Sequence, residues 1–116
     1  MKISFDFDGT LDQKPMQRLA KQFMLTGHEV FITTSRGRVF EGLKTDNTEV
    51  YKVAEELGIA KDHITFTIGE QKFDFVKDYD MHFDDDDDEI FLINEYPANC
   101  IGFLYEHNYS NGQATF

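Results

Sequence analysis

The stretch Lys2-Ile3-Ser4-Phe5-Asp6-Phe7-Asp8-Gly9-Thr10-Leu11 decides the fold. Ile3, Phe5 and Phe7 alternate with Ser4, Asp6 and Asp8, the two-residue period of a strand with one apolar face. Gly9-Thr10 breaks the pattern. In an extended segment the Asp6 and Asp8 carboxylates leave on the same face. Carboxylates crowded at the C-terminal end of a strand repel one another unless a cation joins them. In an open parallel sheet that end is where ligands bind. Gly9 allows the backbone to turn or to approach a ligand closely. The segment from Asp6 to Thr10 therefore reads as a divalent-cation site with a reactive carboxylate.

Outward from this strand the period changes. Met16, Leu19, Ala20 and Phe23 share a helical stripe, with Pro15 suited to its first turn. Residues 28–34, with Val30-Phe31-Ile32 in the middle, read as a second strand. Residues 35–44 read as a loop or short helical turn. Asp46 and Glu49 have the spacing of a capping box. Val50, Val53, Ala54 and Leu57 then line one helical face, and Gly58 closes it. Strands are expected at 64–68, 81–83 and 100–105, and helices at about 71–79 and 89–95. This order, β-α-β-α-β-α-β-α-β, predicts a three-layer, Rossmann-like α/β fold. Its sheet should be mostly parallel, with five strands and right-handed crossovers.

With 116 residues, one domain spanning 1–116 and one core are expected. A 41% hydrophobic and 15% aromatic content excludes an extended disordered chain. The single cysteine, Cys100, excludes an intrachain disulfide and a cysteine-built zinc site; it reads as a buried small hydrophobe. The net charge of -11 repels a phosphate backbone and argues against nucleic acid as a partner. There is no apolar run long enough for a bilayer and no signal-peptide pattern at the start. A cytoplasmic chain without a membrane partner is expected.

Asp6-Phe7-Asp8-Gly9-Thr10-Leu11 resembles the first motif of the haloacid-dehalogenase-like (HAD) superfamily of phosphohydrolases. The resemblance implies that Asp6 attacks phosphorus and becomes an aspartyl-phosphate. It implies that Asp8 protonates the leaving group and then deprotonates water. The second Asp points to phosphomonoester hydrolysis.

Three further motifs follow from the resemblance. Thr34-Ser35-Arg36, ending the second strand, is similar to the family's Thr-small-Arg motif, so Thr34 would donate to a phosphoryl oxygen, with Thr33 as the alternative. Arg36 either touches substrate or pairs with a carboxylate. The family's third motif is a lysine, and Lys72 stands at its usual station, with Lys77 as the competitor. Phe83-Asp84-Asp85 matches the acidic fourth motif. Asp84 would bind the metal with Asp6 and the backbone carbonyl of Asp8, and Asp85 would bind it directly, through water, or orient its ligands. Hard oxygen ligands suit Mg²⁺. Asp88 completes a D-x-x-x-D spacing and is a secondary candidate. His82, inside a short strand, reads as structural.

The short connections leave no room for a cap domain. An open site fits a bulky phosphorylated partner or a homo-oligomer in which a neighbour acts as lid; a phosphorylated small molecule is the other expected partner. Two rival readings remain at this stage. One is a receiver-like phosphoacceptor signalling domain. The other is a catalytically idle HAD-like scaffold that binds a partner.

Overall fold

A computed structural model describes residues 1–37, 47–96 and 98–106. The strands are β1 (Lys2–Phe5), β2 (Glu29–Thr34), β3 (Ile64–Phe66), β4 (Met81–Asp84) and β5 (Ile101–Leu104). The helices are α1 (Lys14–Leu25), α2 (Thr48–Leu57), α3 (Phe73–Val76) and α4 (Asp87–Glu95). The sheet has five strands in the order β3-β2-β1-β4-β5, and every pair is parallel. This is the Rossmann-like, HAD-like architecture expected from the alternation of strands and helices. Among the described residues no second folded module interrupts it.

Strand alternation sorts the side chains into three layers. Ile3 and Phe5 point to the face covered by α1 and α2, where the Phe23 ring packs 6.3 Å from Phe5 and 6.1 Å from Phe83. Val50 and Ala54 of α2 extend that core over Ile32 and Ile64. The opposite face carries Val76, Ile93 and Cys100 under α3 and α4. Gly102 belongs there because a Cβ would press on Ile90 and Ile93. Cys100 is buried in this cluster, as expected, and burial pushes its thiol up to about 11.

Several element ends differ from the sequence reading. Helix α3 is one turn, shorter than 71–79, and β3 stops at Phe66 because Ile68 has a positive φ of 56°. Helix α4 starts earlier, at Asp87, because the Asp86 carboxylate caps it by accepting from the N–H groups of Asp88 and Glu89. Asp46 of the expected capping box, and residues 38–44 of the expected loop, lie outside the described residues. Asn47, at the N-cap of α2, instead donates its amide to the Gly37 carbonyl. Gly58 does close α2, in the left-handed conformation at φ 89°, with its N–H on the Ala54 carbonyl.

Strand order positions the site. From β1 the chain builds outward through β2 and β3, then returns to place β4 on the other side of β1. The direction of winding reverses between β1 and β4, and connections leave a crevice at such a switch point. Asp6 follows β1 and Asp84 ends β4, so both reach that crevice.

Candidate metal and phosphoryl site

The expectation that Asp6 and Asp8 project together is corrected. Strand β1 ends at Phe5, and the chain turns at once. The N–H groups of Leu11 and Asp12 bond five residues back, to the carbonyls of Asp6 and Phe7. Gly9 takes φ 80°, open mainly to glycine, and any Cβ there would run into the Asp85 carboxylate. This tight turn sends the two carboxylates apart. Asp6 goes inward, 4% exposed, whereas the Asp8 side chain is 52% exposed and lies on Arg36.

Asp6, Asp84 and Asp85 form a cluster whose ligand oxygens all lie within 4.8 Å of one another. Lys72 enters it from the start of α3. Its Nζ donates to Asp6 Oδ1 at 2.7 Å and to Asp84 Oδ2 at 2.7 Å. The lysine is fully seated, with its N–H on Glu89 Oε2 at 2.8 Å and its carbonyl accepting from Phe75 and Val76. Lys77, the competitor, is exposed one turn further on. Asp84 also accepts from His82 Nε2 at 2.8 Å and, on Oδ1, from the Asp86 N–H at 3.1 Å. Thr10 donates its hydroxyl to Asp6 Oδ2 at 3.3 Å.

The electrostatics follow from one cation facing several acids under burial. Burial and the neighbouring Asp84 charge push the Asp6 carboxyl up to about 8, against the pull of Lys72. Burial also pushes Asp84 up, but the His82 hydrogen bond and Lys72 outweigh it and hold Asp84 below the usual carboxylate range. Burial lowers the Lys72 ammonium, yet Asp6 and Asp84 together hold it above its ordinary value. Burial keeps the His82 imidazole below its usual range, hence neutral. Two of the cluster's three carboxylates are thus pulled in opposite directions, Asp84 toward its ionised form and Asp6 toward its protonated one.

The remaining predicted residues divide clearly. Thr33 and Thr34 are both fully buried at the end of β2. The Thr33 hydroxyl pairs with Ser4 Oγ at 2.7 Å, buried between the two strands' side chains. Thr34 Oγ1 instead accepts from the Arg36 N–H at 3.3 Å, where the chain leaves the strand. Arg36 pairs with Asp8 rather than standing free, and Glu49 lies 3.6 Å from it. Asp88 is exposed in the first turn of α4, apart from the buried cluster. The sequence reading gave no role to Glu89 and took His82 as structural. Only the two-residue step from His82 to Asp84 on one strand hinted that His82 faces the acid.

Comparisons of the chain with protein-family models, curated proteins and solved structures give no match. The fold and the acidic cluster therefore stand on the chain's own chemistry: a Rossmann-like parallel sheet carrying clustered carboxylates at its switch point. No helix among the described residues is long and apolar enough to cross a membrane.

Proposed function

We propose that the protein is a HAD-like, Mg²⁺-dependent phosphomonoester hydrolase that works through an aspartyl-phosphate on Asp6. One observation carries the reading: the buried contact of Lys72 with both Asp6 and Asp84 beside Asp85. Buried carboxylates facing a lysine at a switch point suit the transfer of an anionic group.

The residues fit a hard divalent cation. The donor set is all oxygen, and burial together with the neighbouring Asp84 charge raises Asp6 against the pull of Lys72. Asp6, Asp84 and Asp85, with the carbonyl of Asp8, would hold Mg²⁺. When bound, the ion supplies positive charge to the transferring phosphoryl oxygens.

The chain's residues then act in two steps. An Asp6 oxygen attacks phosphorus in line, the bond from phosphorus to the leaving oxygen breaks, and Asp8 gives that oxygen a proton. Water next attacks the phosphorus of the aspartyl-phosphate and Asp8 takes its proton. The Asp6–phosphorus bond breaks and inorganic phosphate leaves. Lys72 holds its ammonium where phosphoryl charge grows, and Thr34 offers a hydroxyl at the end of the adjacent strand. Arg36 releases Asp8 for proton transfer when phosphoryl oxygens compete for its guanidinium.

The substrate class is a phosphorylated small molecule or a bulky phosphorylated partner, and the net charge of -11 disfavours nucleic acid. The strand order β3-β2-β1-β4-β5 speaks against the receiver-like alternative, whose flavodoxin-like class has the order 2-1-3-4-5.

The test is phosphate release from p-nitrophenyl phosphate, with and without Mg²⁺, for the wild type and Asp6→Asn. Turnover that needs both Mg²⁺ and Asp6 is expected. Equal turnover in the two proteins defeats the nucleophile assignment. Absence of turnover in both, across a panel of phosphorylated metabolites, nucleotides and peptides, favours the idle scaffold.

A further inference from the structure

Three adjacent strands each send one polar side chain to the sheet face opposite Ile3 and Phe5. Thr33 comes from β2, Ser4 from β1 and His82 from β4, and each is fully buried. They form a single hydrogen-bonded line: Thr33 Oγ1 to Ser4 Oγ at 2.7 Å, Ser4 Oγ to His82 Nδ1 at 3.0 Å, and His82 Nε2 to Asp84 Oδ2 at 2.8 Å. Buried polar groups bring no benefit over well-packed apolar ones unless they hold something in place. Here the line ends on a carboxylate of the cluster.

We infer that His82 is a positioning residue that orients Asp84 for a divalent cation, with Asp84 fixing its tautomer and the Ser4 and Thr33 hydroxyls completing the line. The inference rests on the cation-site reading of Asp6, Asp84 and Asp85. The directions of the hydrogen bonds support it. An ionised Asp84 accepts only, so the proton sits on Nε2 and Nδ1 must accept. The Ser4 hydroxyl donates that bond, and its oxygen accepts one from the Thr33 hydroxyl. Every group in the line is satisfied in one direction.

The same count assigns the two Asp84 oxygens different duties. Oδ2 accepts from both Lys72 Nζ and His82 Nε2, which uses both of its lone pairs. Among the described residues Oδ1 accepts the Asp86 N–H alone, which leaves one lone pair for an ion. Without His82 the carboxylate keeps Lys72 on Oδ2 and the Asp86 N–H on Oδ1 but loses the bond from its own strand, which weakens its presentation to a cation. Groups that hydrogen-bond metal ligands typically contribute about 10–100-fold in metal affinity.

The experiment measures Mn²⁺ affinity by calorimetry and electron paramagnetic resonance on the full chain, for wild type, His82→Leu and His82→Gln. Folding of each is checked by circular dichroism. His82→Leu should bind Mn²⁺ about 10–100-fold more weakly. His82→Gln, whose amide can donate in place of Nε2–H, should recover most of that loss. Two-bond proton–nitrogen correlation in the wild type should show His82 protonated at Nε2. A folded His82→Leu with wild-type Mn²⁺ affinity overturns the inference while leaving the cation site intact. A wild type that binds no Mn²⁺ overturns the cation site and the inference with it. If His82→Leu does not fold, the tautomer decides, because a proton on Nδ1 is incompatible with the line.

Discussion

Arg36 grips Asp8 through two hydrogen bonds, Nε to Oδ2 at 2.9 Å and Nη2 to Oδ1 at 2.7 Å. The fork geometry matches a carboxylate, and a lysine cannot reproduce it. Asp8 is half exposed, so the pair adds little to stability, about 0–1 kcal/mol. In the proposed mechanism the pair holds Asp8 near the site until phosphoryl oxygens compete for the guanidinium. Arg36→Lys should lower kcat/KM about tenfold or more, by a loss of the order of a charged hydrogen bond. The melting temperature should move by only a few degrees. A kcat/KM unchanged by Arg36→Lys removes any role for the pair in turnover.

The raised Asp6 makes a pH prediction with a definite sign. Its folded value is about 8 against an ordinary 3.8, so between these limits the folded state holds the extra proton. That contribution to stability is fully present below about pH 4 and is lost as pH rises through about 8. Asp84 works in the opposite sense, since its lowered carboxyl contributes above its ordinary range and loses that contribution in acid. In EDTA, the melting temperature of wild type relative to Asp6→Asn should therefore fall from pH 5 to pH 9. A flat difference would contradict the assignment.

Mg²⁺ binding should displace that same proton. Calorimetric titrations at pH 6.5 in buffers of different ionisation enthalpy should show proton release on binding, vanishing in Asp6→Asn. Stabilisation by a fixed Mg²⁺ concentration should grow as pH rises toward 8, where the ionised carboxylate is more available. Release that persists in Asp6→Asn would place the proton elsewhere.

Glu89 holds Lys72 by its backbone rather than by its charge. Its Oε2 accepts the Lys72 N–H at 2.8 Å, and burial raises its carboxyl despite that bond. Glu89→Gln keeps an acceptor and should retain most activity and stability. Glu89→Ala leaves the N–H unpaired, which costs about 1–2 kcal/mol, and loosens the start of α3. Chemical denaturation together with kcat for the two variants checks this. Equal loss in both would point to the charge instead.

Gly9→Ala tests the turn that separates Asp6 from Asp8. A left-handed residue other than glycine costs roughly 1–2 kcal/mol, and the new methyl group also pushes on Asp85. Mn²⁺ affinity should fall further than stability alone accounts for. Wild-type affinity in a folded Gly9→Ala protein would show that Asp85 is not needed where it stands.

The alternation of Ile3, Phe5 and Phe7 with polar residues, and the helical stripes at Met16–Phe23 and Val50–Leu57, were enough by themselves to set the class of fold. A period is a local property, and it survives in the sequence because each face must meet either core or water. Asp6 was legible as a carboxylate at the end of the first strand, whereas Lys72 and Asp84-Asp85 were legible through their resemblance to the HAD motifs. What the periodicity of the sequence could not determine was the contact each of these groups makes. Asp8 follows Asp6 by two residues but lies on Arg36, because the chain turns immediately after Phe5. Lys72 is 66 residues from Asp6 and touches it, because β4 returns to lie beside β1. His82 acquires its place only from Ser4 and Thr33 on the neighbouring strands. Contacts across a parallel sheet depend on strand order and register, and those are decided by how the apolar faces pack together rather than by any short stretch of chain.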